Sequence, residues 1–488
     1  MKKTLVALAT LAVAGGAFAQ TSVQRNLNAG SVEIFGVLDA SIVNSTNDNL
    51  GSRTQMVGDG RNESTRLGFR GLEDLGGGMK ASFWLEAGLY VEDGTGQQTT
   101  TSNTALGDRV IFGTTAATPY APSSSLNARQ GLTFNRASNI SLIHADVGEI
   151  RVGRDYMPTF WNYTTYDPFG TVGSGSAMLV NGGGLAAFGA QLPPGAAYPL
   201  VRTSNSVGWF SNDISGFRAQ VQMGLSEMSS ACVQANNNTL VNSGGQTANG
   251  CYGAAGDGKT LGFRISYASG PFTAAFGSSK LTYANAAGQT VTDVGAIPTT
   301  SGVGAAGALT GGAVAALGAV AGTSRINGLA GATNYKGTLD VNNWGISYQV
   351  NPALKLAYAG GTQTASATVD YAEKKFSHNM IAATYTIGAL DIKGSYNVGK
   401  RTDGAANSAG TADTANLNGS QVTQTAVGLV YNLSKRTALY STYSTQTTTI
   451  AGGATASGSG FVNSFTNVVT AGNKVNATGL DLGMRLRF

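Results

Sequence analysis

The stretch Leu480-Asp481-Leu482-Gly483-Met484-Arg485-Leu486-Arg487-Phe488 alternates strictly between apolar residues and polar or small ones. Leu480, Leu482, Met484, Leu486 and Phe488 share one edge of an extended chain, and Asp481, Gly483, Arg485 and Arg487 share the other. Successive side chains of a strand point to opposite faces, so one edge suits an apolar medium and the other suits water. Residues 64–72, Ser-Thr-Arg-Leu-Gly-Phe-Arg-Gly-Leu, repeat the arrangement with Leu67 and Phe69 opposed to Arg66 and Arg70. Runs of this kind begin near Ser31, Ser64, Met79, Arg129, Glu149, Ser204, Phe217, Lys259, Phe272, Val341, Leu354, Asn379, Leu390, Thr423, Thr437 and Val475, sixteen in all.

The links between runs carry a second pattern. Short ones, such as 74–78, 212–216, Asn351-Pro352-Ala353 and 433–436, alternate with long polar stretches such as 91–128 and 227–258. The two patterns together predict an all-β fold: a 16-stranded antiparallel transmembrane β-barrel with short periplasmic turns, long outer loops and both termini on the periplasmic side. A barrel of about 16 to 18 strands leaves an aqueous channel where an eight-stranded one is filled by side chains. Tyr348, Tyr358, Tyr385, Tyr396 and Tyr431 fall at or near strand ends, where membrane-interface aromatics belong, although Tyr also has an ordinary preference for strands.

Composition points the same way. Only 12% of the 488 residues are charged, about half the share usual in soluble chains, and 69 are Gly, double the usual share of about 7%. Apolar residues reach an ordinary 42%, without the long greasy runs of a helical membrane protein. The 31 basic residues exceed the 26 acidic ones by five and are not clustered, which gives no footprint for nucleic acid.

Lys2 and Lys3, an apolar stretch from Leu5 to Phe18 and the small-x-small end Ala17-Phe18-Ala19 predict an export signal over residues 1–19, leaving 20–488 as the barrel domain. In an exported chain Cys232 and Cys251 are expected to pair and close a loop of about 20 residues, free thiols or a metal pair being the alternatives.

Three features invite other readings. Residues 253–260, Gly-Ala-Ala-Gly-Asp-Gly-Lys-Thr, match the phosphate-loop pattern, but a polar loop precedes them and a strand follows, so the helix N-terminus that would hold phosphate is missing. The uncharged residues 302–323 are mostly Gly and Ala and suit an outer loop better than a membrane helix. The only histidines, His144 and His378, fall on opposite rims of the barrel, too far apart to cooperate in acid–base or metal chemistry, and no hydrolase or metalloprotease motif occurs. The reading therefore contains no enzyme, metal or cofactor.

The sequence resembles the general porins of Gram-negative bacteria, the trimeric non-specific diffusion channels. The resemblance is carried by Ser-Val-Glu-Ile-Phe-Gly-Val-Leu-Asp-Ala at 31–40, by 64–81 beginning Ser-Thr-Arg-Leu-Gly-Phe-Arg-Gly-Leu-Glu-Asp-Leu, by Glu-Ile-Arg-Val-Gly-Arg at 149–154, by Leu-Ser-Lys-Arg-Thr-Ala-Leu-Tyr at 433–440, and by Gly-Met-Arg-Leu-Arg-Phe at 483–488. It implies a homotrimer in outer-membrane lipid, a third outer loop folded into the lumen over roughly residues 155–203, and a terminal Phe488 of the kind the membrane-assembly machinery recognises. Leu486 stands where many relatives carry His, and the outer loops are longer than theirs.

The resemblance also implies that Arg66, Arg202 and Glu86 line the narrowest point. Period two sends Arg66, Arg70, Lys80, Arg129, Arg151 and Arg485 to the lumen with Glu86 and Glu33 as minority acids, while the inward loop adds only Asp155 and Asp167. Low-dielectric walls focus the field of such charges, so passive diffusion of small hydrophilic solutes with a preference for inorganic anions is the expected function. Two alternatives stay open: a plugged receptor or adhesin barrel, and a sugar-selective channel using Trp84, Phe160 and Trp161.

Overall fold

The structure is a computed structural model that describes residues 29–48, 51–97, 129–177, 201–225, 232–234, 240–242, 259–284, 336–367, 373–403, 419–449, 451, 456–459, 466–469 and 474–488. The expected signal segment, Cys251, the Cys232 side chain and residues 302–323 lie outside the described residues.

Sixteen antiparallel strands close into one barrel: β1 (Ser31–Asn47), β2 in two pieces (Gly51–Val57 and Arg66–Gly76), β3 (Met79–Gly88), β4 (Ala137–His144), β5 (Gly148–Tyr156), β6 (Arg202–Phe210), β7 (Phe217–Gly224), β8 (Thr260–Ser269), β9 (Phe272–Ala284), β10 (Lys336–Gln349), β11 (Leu354–Ala367), β12 (Lys374–Ile387), β13 (Leu390–Asp403), β14 (Gln421–Asn432), β15 (Thr437–Thr449) and β16 (Lys474–Arg487). Each pairs with its neighbours in sequence, and β16 returns to β1 with Val37 opposite Arg487 and Asn47 opposite Ala477. Gly36 and Phe488 exchange two backbone hydrogen bonds of 3.1 Å, carrying the seam to the last residue.

Alternation decides which way each residue faces. On β16, Leu482, Met484 and Leu486 are 49%, 53% and 39% exposed, whereas Asp481 and Arg485 between them are 0% and 7% exposed. Every turn of the barrel repeats this, from Ile140 and Leu142 on β4 to Val427 and Leu429 on β14, so the outer surface is a continuous apolar belt. Tyr348, Tyr358, Tyr385, Tyr396 and Tyr431 also face outward. A belt of that extent would drive aggregation in water and is at equilibrium only against lipid.

The sequence reading and the structure part company at two strands. Arg129, expected to begin a barrel strand, pairs opposite Gln97 in a two-residue ladder of the second outer loop, and β4 starts at Ala137. Leu132 and Phe134 alternate as a strand would, but the Asn135 side chain accepts from Gly88 N and donates to Gln97 O, each at 2.8 Å, and folds this segment over the end of β3. The second difference is the interruption of β2. Its two pieces lie in line against the upper and lower halves of β1, and residues 58–65 leave the sheet between them.

The wall is uneven in height. Strands β3 to β8 are 8 to 10 residues long, near the minimum of about 9 needed to cross hydrocarbon, whereas β9 to β16 run 12 to 14. The outward face of β16 supplies a direct test of the membrane assignment. Leu482→Arg is expected to lower folding stability in lipid vesicles by about 2–4 kcal/mol, measured by urea titration; an unchanged midpoint would mean that this face does not meet lipid.

Candidate functional site: the waist of the barrel

Between β5 and β6 the chain turns inward as the third outer loop, and its described part, residues 157–177, forms a strap across the lumen. The strap opens with a helix, α1 (Pro158–Tyr166), whose Pro sits at the first helical position, where its missing N–H costs nothing. The helix lies flat on the inner faces of β8 to β10. Thr159 Oγ1 and Ser279 Oγ share a hydrogen bond of 3.0 Å, Asn343 Nδ2 donates to the Thr159 carbonyl at 2.8 Å, and Asn162 takes a bond from Arg264 Nε at 2.6 Å. Glycine makes so close an approach possible. A Cβ on Gly277 would come within 2.9 Å of Asn162 Nδ2, and one on Gly262 within 2.9 Å of Pro158 Cδ.

Past the helix, Asp167 organises the strap by accepting the backbone amides of Phe169, Thr171 and Ala177 at 2.9, 3.0 and 2.8 Å. Ser174 then docks on the far wall: its amide and hydroxyl each donate to Asp481 of β16 at 2.7 Å, and Gln424 of β14 donates to its carbonyl at 2.9 Å.

The interruption in β2 supplies a second insert. Asp39 of β1 accepts the amides of Asn62 and Glu63 at 2.9 and 2.7 Å and also the hydroxyl of Tyr440. Thr65 Oγ1 bridges the Asp39 backbone where the ladder is missing. Arg61 joins the two inserts, reaching Ser174 Oγ at 3.1 Å and Asp481 at 3.2 Å. Glu63 gathers Arg66 at 2.6 Å, Arg487 at 2.6 Å and Arg485 at 3.7 Å. Asp39, Arg61 and Glu63 are structural members of the waist that period two alone did not single out, whereas Asp481 stood on the polar edge of the last run. The turn-forming run Gly58-Asp59-Gly60-Arg61-Asn62 was the available signal.

Opposite the helix, β2 to β6 present a cluster of arginines. Arg136 meets Glu86 at 2.5 Å and Tyr156 Oη at 3.0 Å, and Tyr156 donates to Glu86 at 3.1 Å. Among the described residues Arg202 stacks over the Tyr156 ring at 4.6 Å and bonds only its hydroxyl, at 3.2 Å; Glu86 acts on it at longer range but forms no ion pair with it. Arg66 faces the same group, close enough to act on Glu86 electrostatically. Arg151 is neutralised on both sides, by Glu149 at 2.8 Å and Asp155 at 2.6 Å. Arg70 pairs with Glu33 at 2.6 Å, on the parts of β1 and β2 nearest the periplasm. Glu86, Arg202 and Arg66 are thus together. Arg151 and Asp155 form a pair on β5, Asp167 belongs to the strap, Arg485 of β16 reaches Asn62 and Glu63 of the β2 insert, Arg70 lies toward the periplasmic end, and the Arg129 side chain lies outside the described residues. Arg136, seven positions beyond Arg129, is the base that reaches Glu86.

The aromatics gather instead of forming a file. Tyr156 stacks on Phe160 at 5.2 Å and touches Trp161 and Trp84, all buried around one hub. His144 lies at the periplasmic turn, accepting from the Asp146 amide, and His378 is buried near the outer end of β12.

With this geometry in hand, comparison with known proteins is decisive. A model of the Gram-negative porin family matches residues 4–451. The chain belongs to that family. Outer membrane porin protein 32 of Delftia acidovorans is 32% identical over 219 residues, covering 45% of this chain and 48% of the relative. An outer membrane porin protein of Bordetella pertussis is 28% identical over 233 residues, covering 45% and 46%. In both cases the chain spans about half the length of the curated relative it matches. Among solved structures, the anion-selective porin from Comamonas acidovorans superposes with a TM-score of 0.59 at 22% identity over 94% of this chain and 99% of that one. The trimer form of OmpT from Vibrio cholerae gives 0.51 at 10% identity over 94% and 100%. At these identities the structural matches establish the porin fold.

Burial raises the Asp167 carboxyl to about 6, against the pull of the three amides and of Lys393, and raises Asp59 in the second insert to about 6 as well. A folded state that holds a proton up to about pH 6, where the unfolded chain releases it near 3.8, is favoured by that group at acid pH and loses the advantage as pH rises through this window. The melting temperature of the folded porin should therefore fall between about pH 4 and 6, and Asp167→Asn should flatten part of that slope; identical profiles for the two proteins would refute the role given to Asp167.

Proposed function

We propose that this porin is a water-filled outer-membrane channel for passive diffusion of small hydrophilic solutes and ions, that it prefers anions, and that it works as a homotrimer. The observation that carries the anion preference is Arg202: the waist holds a guanidinium with no carboxylate partner among the described residues, while the carboxylates around it are already engaged. Residues 157–201 contain a single acid, Asp167, and its oxygens are taken up by backbone amides.

Magnitude separates the charges that matter. An unneutralised charge about 8 Å from a passing ion is worth roughly 2 kcal/mol at an effective permittivity of about 20, before salt screening. An ion pair at the same distance, even end-on, contributes about a third of that. Arg202 therefore outweighs Arg151 or Arg70, each of which has its own carboxylate.

The solved relative whose title describes an anion-selective porin supports the reading, and the trimer form of the Vibrio protein supports the assembly. The low wall of β3 to β8 fits burial against neighbouring protomers, where the bilayer need not be matched. The compact aromatic hub around Tyr156 gives no support to a sugar-selective file.

Reversal potentials across a KCl gradient test the proposal. The wild type should give the sign of an anion-preferring channel, and Arg202→Gln should lower the anion-to-cation permeability ratio by roughly twofold or more, whereas Arg70→Gln should leave it nearly unchanged. A cation-preferring sign in the wild type, or equal effects of the two variants, would overturn it.

A further inference from the structure

The lumen holds other cations that the waist does not use, and two of them are aligned. Lys355, the second residue of β11, lies opposite Thr384 of β12, and Thr384 lies opposite Lys393 of β13. Two strand spacings separate the lysines at the backbone, about 10 Å, with a threonine midway. All three face the lumen. Leu356 and Tyr358 beside Lys355 are exposed on the outer surface, as are Ile381 and Tyr385 on β12 and Tyr396 on β13. Ala359, Ala382 and Ser395, in phase with the row, are buried inside.

Neither lysine has an ion pair among the described residues. The acids nearby are already engaged. Asp391, on the same face of β13, is the acid that acts most strongly on Lys393, but its oxygens are turned to Thr386 Oγ1 at 2.7 Å and Asn432 Nδ2 at 3.0 Å and it makes no ion pair with the lysine. Asp167 of the strap, close enough to act on Lys393 electrostatically, is held by its three amides. Glu63, felt more weakly, is shared among Arg66, Arg485 and Arg487, and Arg485 is a further like charge. Two cations held at this spacing repel each other, and an anion passing between them changes that repulsion into attraction on both sides.

The row also stands apart from the waist arginines. Lys355 is the second residue after the periplasmic turn at 351–353, and Lys393 is the fourth after the turn at 388–389, whereas Arg202 begins β6 at its outer end and on the opposite wall. Building on the anion-preferring reading above, we infer that Lys355 and Lys393, bridged by Thr384, form a second anion-attracting station on the periplasmic side of the strap, in series with Arg202. Its ligands are small inorganic anions and compact carboxylates, which the paired ammonium groups draw from the periplasmic vestibule.

Single-channel recording of the full porin in planar bilayers tests the inference, using KCl and a double variant, Lys355→Gln with Lys393→Gln. Heat-modifiable migration of the variant shows that the barrel has formed. At about 0.1 M salt, where screening extends over about 10 Å, the variant should lose roughly a third or more of the wild-type conductance; at about 1 M, with screening within about 3 Å, the two should agree. Lys355→Arg with Lys393→Arg should keep the wild-type conductance at both. Equal conductance of the glutamine variant and wild type at low salt overturns the station. So does a loss that persists at high salt or appears in the arginine variant, since either reports pore shape and not charge. The wild-type reversal potential in the same recordings reports the anion preference separately: an anion sign with unchanged low-salt conductance refutes the station alone, and a cation sign refutes the reading it rests on.

Discussion

A backbone amide or carbonyl left unpaired in hydrocarbon costs several kcal/mol, and a strand that crosses a bilayer carries about ten of each. No open edge survives that requirement, so the ladder must return on itself, as β16 does on β1. The closing seam is built to the last residue, with Gly36 and Phe488 exchanging both backbone bonds. Once the sheet is closed, each side chain is committed to lipid or lumen by its parity alone. The chain can then afford a charge share of only 12%, because half of every strand has no use for charge.

Closure also creates the problem that the interior solves. Sixteen strands enclose more space than their inward side chains fill, and the two inserts occupy it. Both are stretches whose backbone has left the ladder, and both recover their hydrogen bonds from carboxylates. Asp39 of the wall serves the β2 excursion, while Asp481 of the wall and the strap's own Asp167 serve the strap. The oxygens of these acids are thereby engaged within the waist. The same logic pairs Arg151, Arg70 and Arg136 with their own acids. Arg202 is left with no ion pair among the described residues, which is why the proposed anion preference is placed there.

That distinction marks how far the sequence could be read. Period two located the strands within a few residues, since burial on one face and lipid on the other leave no freedom of register. It failed at Arg129, where Leu132 and Phe134 imitate a strand inside a loop, and at residues 51–57, whose polar outer half of β2 lacks apolar alternation. Parity placed Arg66, Arg70, Arg151, Arg485 and Glu86 on the lumen edge, and resemblance added Arg202. What parity cannot give is partnership. Whether Arg151 faces an ion or two carboxylates depends on which strands are neighbours and at what height, and Arg136, the base nearest Glu86, sits one residue before its strand begins. Lys355 escaped notice because its lumen-facing neighbours are Ala357 and Ala359, so its segment shows no charged edge, and Lys393 because Asp391 two residues before it leaves its edge with no excess of base.

The two inserts are mechanically one unit, and this bears on how the waist keeps its shape. Arg61 of the β2 insert shares Asp481 with Ser174 of the strap, so neither can shift without disturbing a buried carboxylate that would be left short of donors. A loop pinned only at its ends would sample many widths on the timescale of ion passage, and a field averaged over those widths would discriminate weakly. Here the strap is fixed at α1 by the asparagines of β10 and the helix, at its middle by Asp167, and at its tip by Asp481. The strap thus keeps a defined position beside the Tyr156–Arg202 contact of the wall, and under the proposed anion preference a fixed gap matters because Coulomb energy changes steeply at short distances.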